Sequence, residues 1–367
     1  MKINYFSLVS LLSLLSLPTL APAQTAKPKP KPATPPVQIL DSSRPVVLGT
    51  KQLPGDFGKL GTTYTIGKAS PLNLTVISAE YSTNHWVYES AFSGVLHGQP
   101  KSDEKTLLLK LTVQNPTQQP LALNPGDLKL TAVTPDSTSS EKFVLINPKT
   151  TKECLNLPLK PGQKLDVIAL VTVPAKEPIH KLIVQREDGT AVVRYDLMDK
   201  ITALPSWAGT GAVSKEVIAG IRDCVMPTGW FDLGLRGLEW SQAKIDGDEE
   251  PGEGNRFLVA HLSFASLAEK IGLNFGTFDM AVTTDDGQKI VKETPGGTGG
   301  FLLETRLASF SGELNKGEKQ NIRVFFRVPR DANPKTITIT DRETGRSIAF
   351  PTSQDWFEIR DCVRSLR

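Results

Sequence analysis

Two histidines, His85 and His97, flank the polar and aromatic segment NHWVYESAFSGVLHG. Three carboxylates lie near them in the sequence: Glu80, Glu89 and Asp103. Zinc in proteins accepts imidazole nitrogens and carboxylate oxygens, so this segment is a candidate for a metal-dependent hydrolase site. The spacing, however, matches neither H-E-x-x-H nor H-x-x-E-H. A zinc site is therefore one hypothesis, and a polar insertion without metal is the other.

Carboxylates also alternate along the stretch IDGDEEPGEGN, which contains Asp246, Asp248, Glu250 and Glu253. Oxygen ligands at alternate positions are typical of Ca²⁺ loops. The stretch lacks the glycine register and the closing glutamate of an EF-hand, so a solvated acidic hairpin is the competing interpretation. The sequence contains no G-x-S-x-G nucleophile motif, and we predict a protein that is not an enzyme and has no cofactor.

Four aromatic residues, Tyr81, Trp86, Tyr88 and Phe92, cluster in and beside the segment between the two histidines. Aromatic side chains bury a large area at contact surfaces, and loops on a rigid scaffold are common binding sites. The cluster is therefore a candidate binding surface. The alternative is that Trp86, Tyr88 and Ser90 share one strand face and complete a core.

Two of the three cysteines, Cys224 and Cys362, lie in a repeated pentapeptide, IRDCV. In an oxidising compartment they are candidates for a disulfide that joins the two ends of one domain. In the chain-entropy model, a loop of that length stabilises the fold by roughly 4–5 kcal/mol. Two alternatives stay open, namely two separate buried thiols and a Cys154–Cys224 bridge.

In each IRDCV pentapeptide the Ile, Cys and Val have i, i+3, i+4 spacing, which would place them on one face of a helix. The pattern predicts two short amphipathic helices. The first begins at Ser214 as its N-cap and ends at Pro227, and the second begins near Thr352.

An internal repeat organises the rest of the chain. Two pairs of segments are similar. Residues 106–130 (TLLLKLTVQNPTQQPLALNPGDLKL) correspond to 256–280 (RFLVAHLSFASLAEKIGLNFGTFDM), and residues 159–174 (LKPGQKLDVIALVTVP) correspond to 314–329 (LNKGEKQNIRVFFRVP). Each copy has several short strands with period-two apolar alternation, separated by Gly, Pro, Asn and Asp. This pattern predicts two antiparallel β-sandwiches.

The first copy resembles the DUF4352 and telokin-like family. The matching residues are Leu107–Val113, Asn115, Gly126, Leu159, Gly162, Lys164, Val173 and Pro174. The resemblance implies immunoglobulin-like sandwiches of exported bacterial proteins, and it supplies no catalytic residues. The second copy departs from the family at Ser266, which stands where the first copy has Asn115.

The first residues indicate export. Lys2 precedes an apolar run, and Ala21-Pro22-Ala23 forms an A-x-A cleavage site, so 1–23 is predicted to be a signal peptide. The Lys- and Pro-rich residues 24–45 favour an extended linker. A formal net charge of +3, without a basic stripe, argues against a nucleic-acid partner. We expect no transmembrane segment in the mature chain.

The predicted fold class is mainly β, with two tandem immunoglobulin-like sandwiches and short flanking helices. The predicted domains are sandwich 1 at 46–200, a linker with a short helix at 201–226, sandwich 2 at 227–350 and a C-terminal helix at 351–367. The function hypothesis is an exported, non-catalytic binding or scaffold protein of the cell envelope that recognises a protein or polymer through sandwich loops. It would be periplasmic, extracellular or attached to the cell surface. A structural spacer and a metal-dependent hydrolase using His85 and His97 are the alternatives.

Overall fold

A computed structural model describes residues 48–53, 55–90, 92–187, 192–244, 250–274, 276–293, 301–303, 309–310 and 312–353. The predicted signal peptide, the predicted Lys/Pro-rich linker and the predicted C-terminal helix beyond residue 353 lie outside these residues.

The described residues form β-strands, most of which pair antiparallel, and one turn of 3-10 helix at Pro125–Asp127. The first strands are β1 Thr63–Ile66, β2 Leu72–Ser82, β3 Trp86–Ser90, β4 Gly94–Gly98, β5 Glu104–Gln114, β6 Leu121–Leu123, β7 Leu128–Val133, β8 Ser139–Ser140, β9 Phe143–Asn147, β10 Lys152–Glu153, β11 Leu157–Leu159, β12 Lys164–Pro174, β13 Lys181–Arg186, β14 Val193–Asp196 and β15 Ile201–Thr202. The later strands are β16 Gly209–Thr210, β17 Val213–Ser214, β18 Val217–Ala219, β19 Val225–Thr228, β20 Phe231–Ser241, β21 Asn255–Ser266, β22 Lys270–Leu273, β23 Phe278–Thr284, β24 Lys289–Val291, β25 Phe301–Leu303, β26 Ser309–Phe310, β27 Gly312–Asn315, β28 Lys319–Pro329, β29 Pro334–Asp341 and β30 Ser347–Pro351.

Strands β1 to β15 form a first β-sandwich. Its large sheet has the order β1-β2-β5-β12-β9-β10-β3-β4, with β15 beside β2, and its smaller sheet has the order β14-β13-β7-β8. Alternate side chains of both sheets point into one shared core, for example Leu109 from β5 and Leu182 from β13. Two sheets that bury their facing side chains in this way are a sandwich.

Strands β18 to β30 form a second β-sandwich around a separate core. One sheet has the order β19-β20-β21-β28-β25-β26, and the facing sheet has the order β18-β30-β29-β23-β24. The rings of Phe231, Phe264 and Phe278 pack against one another in this core, edge-to-face or tilted, with centroids 5.1–6.0 Å apart. The described strands of each sheet therefore come from one sandwich only.

The two sandwiches share a strand order. The run β2-β5-β12-β9 of the first corresponds to β20-β21-β28-β25 of the second, and β14-β13-β7-β8 corresponds to β30-β29-β23-β24. Both β2 and β20 also contain a β-bulge, between Val76 and Ser78 in one and between Leu235 and Gly237 in the other. This order agrees with the alignment of the two sequence segments.

The predicted helix from Ser214 to Pro227 is wrong. This segment forms β17, β18, a turn and β19, and β18 pairs in parallel with β30. The turn contains Asp223 in the left-handed region, with φ of 61°, and Val225 is exposed rather than buried. Pairing with the open edge of β30 satisfies the backbone groups that a helix would have satisfied internally, and this outweighs the i, i+3, i+4 pattern.

A buried arginine joins the two sandwiches. Arg346, in the β29–β30 turn of the second, is 2% exposed and donates hydrogen bonds to the backbone carbonyl oxygens of Pro100, Lys101 and Glu104 in the first. Burial lowers the pKa of the Arg346 guanidinium to about 10, partly offset by Glu104 and Asp103. The guanidinium therefore holds the β4–β5 connection of the first sandwich against the second.

Further contacts extend this junction. The Ser102 N–H donates to the Thr344 carbonyl at 3.1 Å, and the Gln99 side chain donates to the Pro227 carbonyl at 3.5 Å. The indole of Trp207, in the connecting segment, packs against both cores. Polar and apolar contacts thus act together at the junction.

A second buried cation supports the same connection from inside the first sandwich. Lys105 has no exposed surface, and its Nζ donates to the carbonyls of Ala175 at 3.0 Å and Glu177 at 2.5 Å. The Nζ also lies 4.8 Å from the ring centroid of Tyr81. Burial lowers the pKa of Lys105 to about 8, with a smaller opposing effect from Glu177.

We expect Arg346→Met to lower the free energy of unfolding by about 3 kcal/mol, because it leaves three junction carbonyls without their charged donor. Urea unfolding followed by circular dichroism measures this. Arg342→Met is the matched control, since Arg342 lies in the same turn but forms an exposed ion pair with Asp279, and it should cost less than about 1 kcal/mol. Equal losses in both variants would contradict the proposed importance of the Arg346 contacts.

The free energy of unfolding should depend on pH through Lys105. The folded pKa of Lys105, about 8, is below the usual lysine pKa of 10.5. Between these pH values the unfolded chain therefore binds more protons, and the folded state gains stability as pH rises. Across this pH window, the free energy of unfolding of the wild-type protein should rise by up to about 1.4 kcal/mol per pH unit relative to that of Lys105→Met. Lys110→Met, which replaces a half-exposed lysine of the same strand, should show the same pH dependence as the wild type. Parallel pH curves for the wild type and Lys105→Met would contradict the prediction.

Candidate functional site

The segment between the two histidines forms the β3–β4 hairpin. Trp86 pairs with Gly98 and Ser90 with Gly94, and Gly94 adopts φ of +71° at the turn. A parallel bridge between Glu89 and Lys152 attaches β3 to β10. The hairpin lies between β2 and β5 in the chain, and it joins the edge of the large sheet through β10.

The hairpin is anchored to the outer face of the large sheet. Tyr88 is buried with three aliphatic side chains, Leu108, Ile146 and Leu170, which point away from the main core. Partly buried apolar side chains surround this group: Trp86, Leu96, Val144 and Ile168. Because β5, β9 and β12 carry apolar residues on both faces, their outer face needs a cover, and the hairpin supplies it.

The structure separates the four predicted aromatic residues by role. Tyr81 is in the main core, where its hydroxyl accepts a hydrogen bond of 2.7 Å from the Ile179 N–H. Trp86 and Tyr88 anchor the hairpin, and burial, aided by Glu153, raises the pKa of Tyr88. Phe92, at the hairpin turn, is 88% exposed. Of these four rings, only that of Phe92 is presented almost fully to solvent.

Two of the three carboxylates of the hypothetical zinc site, Glu80 and Glu89, are paired with lysines. Glu80 lies 3.8 Å from Lys110, and Glu89 lies 3.1 Å from Lys152. His85 is buried, whereas the side chain of His97 is outside the part of the protein that the structure describes. No group of three or more His, Cys, Asp or Glu side chains within the described part of the chain is arranged to hold a metal ion. The zinc site stays a hypothesis.

The acidic stretch of the second sandwich is described only in part. Glu250 pairs with Lys244 at 3.0 Å, and Glu253 is exposed. Asp246 and Asp248 lie outside the described residues. Ca²⁺ binding by this stretch is therefore still a prediction.

The cysteines differ in state. Cys154 is a buried free thiol, and its burial raises its pKa to about 11. Cys224 is buried and disulfide-bonded, so the alternative Cys154–Cys224 bridge does not fit. Cys362 lies outside the described residues, and the Cys224–Cys362 bridge stays a prediction.

Sequence reasoning offered Trp86, Tyr88 and Ser90 as one strand face that completes a core, but it did not predict that this core lies on the outer face of the large sheet. The signal was present in the runs LLLKL of β5 and VIALV of β12, which are apolar at consecutive rather than alternate positions. Strands covered on both faces have such runs. The burial of Lys105 and Arg346 had no comparable signal in the sequence, because both residues lie among polar neighbours next to a predicted turn.

None of the helical residues described forms a segment with the length and hydropathy needed to span a membrane.

The comparisons with known proteins do not show a family. No family model matches the chain, and no curated protein matches it. An uncharacterised β-sandwich protein from Clostridium difficile 630 is 12% identical, with a TM-score of 0.30, over 38% of this chain and 97% of that one. A proposed lipoprotein from Bacillus subtilis subsp. subtilis strain 168 is 11% identical, with a TM-score of 0.24, over 33% of this chain and 35% of that one. Such scores are too low to support a conclusion about family or function, and the resemblance to DUF4352 stays a prediction.

The anchor and the tip of the hairpin should respond differently to substitution. Tyr88→Ala should lower the local stability of the hairpin by about 3 kcal/mol, because it removes a buried ring from the outer-face group. Phe92→Ala should change it by less than about 0.5 kcal/mol. Hydrogen exchange of the β3 and β4 amides measures both values. A comparable loss of protection in the two variants would contradict the division into anchor and tip.

Proposed function

We propose that this chain is an exported, non-catalytic binding or scaffold protein of the cell envelope. It recognises a protein or an envelope polymer through the β3–β4 hairpin of its first sandwich. The observation that carries the proposal is the contrast within the hairpin, in which Phe92 is 88% exposed while Tyr88 is buried. An exposed ring on a fixed base can be covered by a partner with little loss of conformational freedom.

The chemistry of the tip supports a direct contact with a partner. An aromatic ring buries a large apolar area when it enters a pocket, and such anchors provide most of the binding energy at many interfaces. The hairpin also carries its own attachment to the sheet, through the Glu89–Lys152 bridge and the outer-face group. The position of Phe92 therefore depends on the sandwich and not on a long loop.

We also propose that the two sandwiches are tandem immunoglobulin-like domains of the DUF4352 and telokin-like type. The common strand order and the shared β-bulge in β2 and β20 support this. The predicted signal peptide at 1–23 supports export, and a periplasmic, extracellular or cell-surface location follows from it.

A structural spacer is the second candidate, and the Arg346 junction favours it. A buried guanidinium that bonds three carbonyls of the other sandwich gives two domains a fixed relation, which is what a spacer requires. A spacer, however, gives no reason for an exposed phenylalanine at a hairpin tip. Capture of a partner at Phe92 distinguishes the two candidates.

Photo-crosslinking in the native cells tests the proposal. With p-benzoylphenylalanine at position 92, we expect a discrete covalent adduct of constant mass, because the ring of Phe92 is the proposed contact. The control is the same crosslinker at Val291, an exposed residue of β24 in the second sandwich. No adduct from position 92, or the same adducts from both positions, would reject the hairpin as the contact and favour the spacer.

Once the partner is isolated, Phe92→Ser should weaken its binding at least about tenfold, since loss of a buried anchor costs more than about 1.4 kcal/mol. The free energy of unfolding should not change, so the effect can be assigned to the contact. Titration calorimetry with the purified partner measures the affinity. Unchanged affinity would contradict the role of the ring.

A further inference from the structure

The two sandwiches contain the same kind of cation and ring pair at the same end. In the first, the Lys105 Nζ lies 4.8 Å from the ring centroid of Tyr81, and in the second the Arg256 guanidinium carbon lies 3.5 Å from the ring centroid of Trp240. Each cation is the second residue of its strand, β5 or β21. Each ring lies on the neighbouring strand, directly opposite the residue two positions beyond the cation. The two pairs therefore occupy equivalent positions.

The pair is covered in the first sandwich and open in the second. Lys105 has no exposed surface and Tyr81 is almost fully buried, because the β12–β13 connection (175–180) covers them with three backbone groups that bond to the two side chains. The β28–β29 connection (330–333) of the second sandwich is shorter. There Trp240 is 43% exposed. The second sandwich thus presents a ring whose counterpart is part of a core.

This end of the second sandwich is not suited to receive a further sandwich. In the first sandwich, carbonyls of the β4–β5 connection accept hydrogen bonds from Arg346. Two of the corresponding carbonyls in the second, counted back from the cation, are those of Pro251 and Asn255. They already accept hydrogen bonds of 3.4 Å each from Arg327 and Arg330 of the same sandwich. Another domain could repeat the junction here only if these bonds broke, so a small ligand fits this end better.

The exposed ring lines a groove of about 400 Å³. Two aliphatic side chains, Leu238 and Leu258, line the groove with it. Arg256 is not one of the described lining residues, so the groove meets the part of the Trp240 indole that the guanidinium leaves uncovered. The guanidinium also holds the ring, since a cation over an aromatic face is attracted to it. The groove therefore has a flat aromatic surface in a fixed position.

Three polar side chains of the groove supply both donors and acceptors of hydrogen bonds. Arg222 donates to the Thr352 carbonyl at 3.3 Å, Glu239 lies 3.3 Å from the His261 Nε2, and Asn333 is exposed. A guanidinium only donates, an ionised carboxylate only accepts, and an amide does both. Hydroxyl groups, which donate and accept, match all three. A strongly charged ligand would face a side chain of its own sign, so the groove favours a neutral one.

We propose that this groove binds a neutral saccharide, with one sugar ring stacked on Trp240. A hexose with equatorial substituents has a face of C–H groups and a rim of hydroxyls. The C–H face covers the indole, and the hydroxyls bond to Arg222, Glu239 and Asn333. The site lies on the second sandwich and does not depend on the contact proposed at Phe92.

Titration calorimetry of the full-length protein with cellohexaose and, separately, with chitohexaose tests the proposal, since both oligomers consist of hexoses with equatorial substituents. We expect at least one of them to bind at a single site with a dissociation constant below about 1 mM. Trp240→Ala should weaken this binding at least about tenfold, while Trp240→Phe, which keeps a flat ring, should stay within about threefold of the wild type. The control is Val291→Ala, at an exposed residue of the same sandwich, which should bind like the wild type.

Binding of neither oligomer would overturn the proposal, and so would wild-type affinity in Trp240→Ala. Circular dichroism shows whether Trp240→Ala is folded. If it is not, Asn333→Ala replaces it, because this change alters an exposed amide and leaves the ring in place. We expect Asn333→Ala to weaken binding at least about threefold through loss of hydrogen bonds to the sugar. Unchanged affinity in that variant would contradict the assigned contact of the hydroxyl rim.

Discussion

The relation between the two sandwiches depends on the guanidinium of Arg346. An arginine with 2% of its surface exposed loses its hydration on folding, and this loss is tolerated only where several acceptors replace water. The carbonyls of Pro100, Lys101 and Glu104 supply them, and all three lie between the end of β4 and the first residue of β5. Since Lys105 fixes the next residue of the chain from inside the first sandwich, the connection is held on both sides. The two cores are therefore coupled through these polar contacts together with the indole of Trp207, which packs against both.

The same connection links the junction to the hairpin. Strand β4 ends at Gly98, and the chain passes directly to the carbonyls that Arg346 binds before it enters β5. One end of the hairpin is thus fixed at the junction, and its body is fixed by the outer-face group around Tyr88. Only the turn that contains Phe92 extends beyond these supports. The hairpin is the segment in which we propose the contact with a partner, and the second sandwich has the acidic stretch before β21 instead.

The strands could be predicted from the sequence because a period of two is a local property, as in β12, where Val167, Ala169 and Val171 face the core. The turn at Asn115 could also be predicted from the sequence. In the structure, its buried side chain donates to the carbonyls of Gln119 and Leu159. Ser266, at the corresponding position of the second sandwich, donates one such bond, to the Ala268 carbonyl. The predicted helix was wrong because pairing of β18 with β30 joins segments more than a hundred residues apart. Arg346 was missed for the same reason, as its acceptors lie in the other sandwich.

Distances between spin labels on the two sandwiches test the coupling most directly. Ile77 and Val291 are exposed, one on each sandwich, and cysteine substitution there allows labelling of a protein in which Cys154 is buried. If the Arg346 junction holds, pulsed electron resonance should give one narrow distance distribution, and Arg346→Met should broaden it. A broad distribution in the wild-type protein would show that the sandwiches move independently, and would contradict a junction that fixes them.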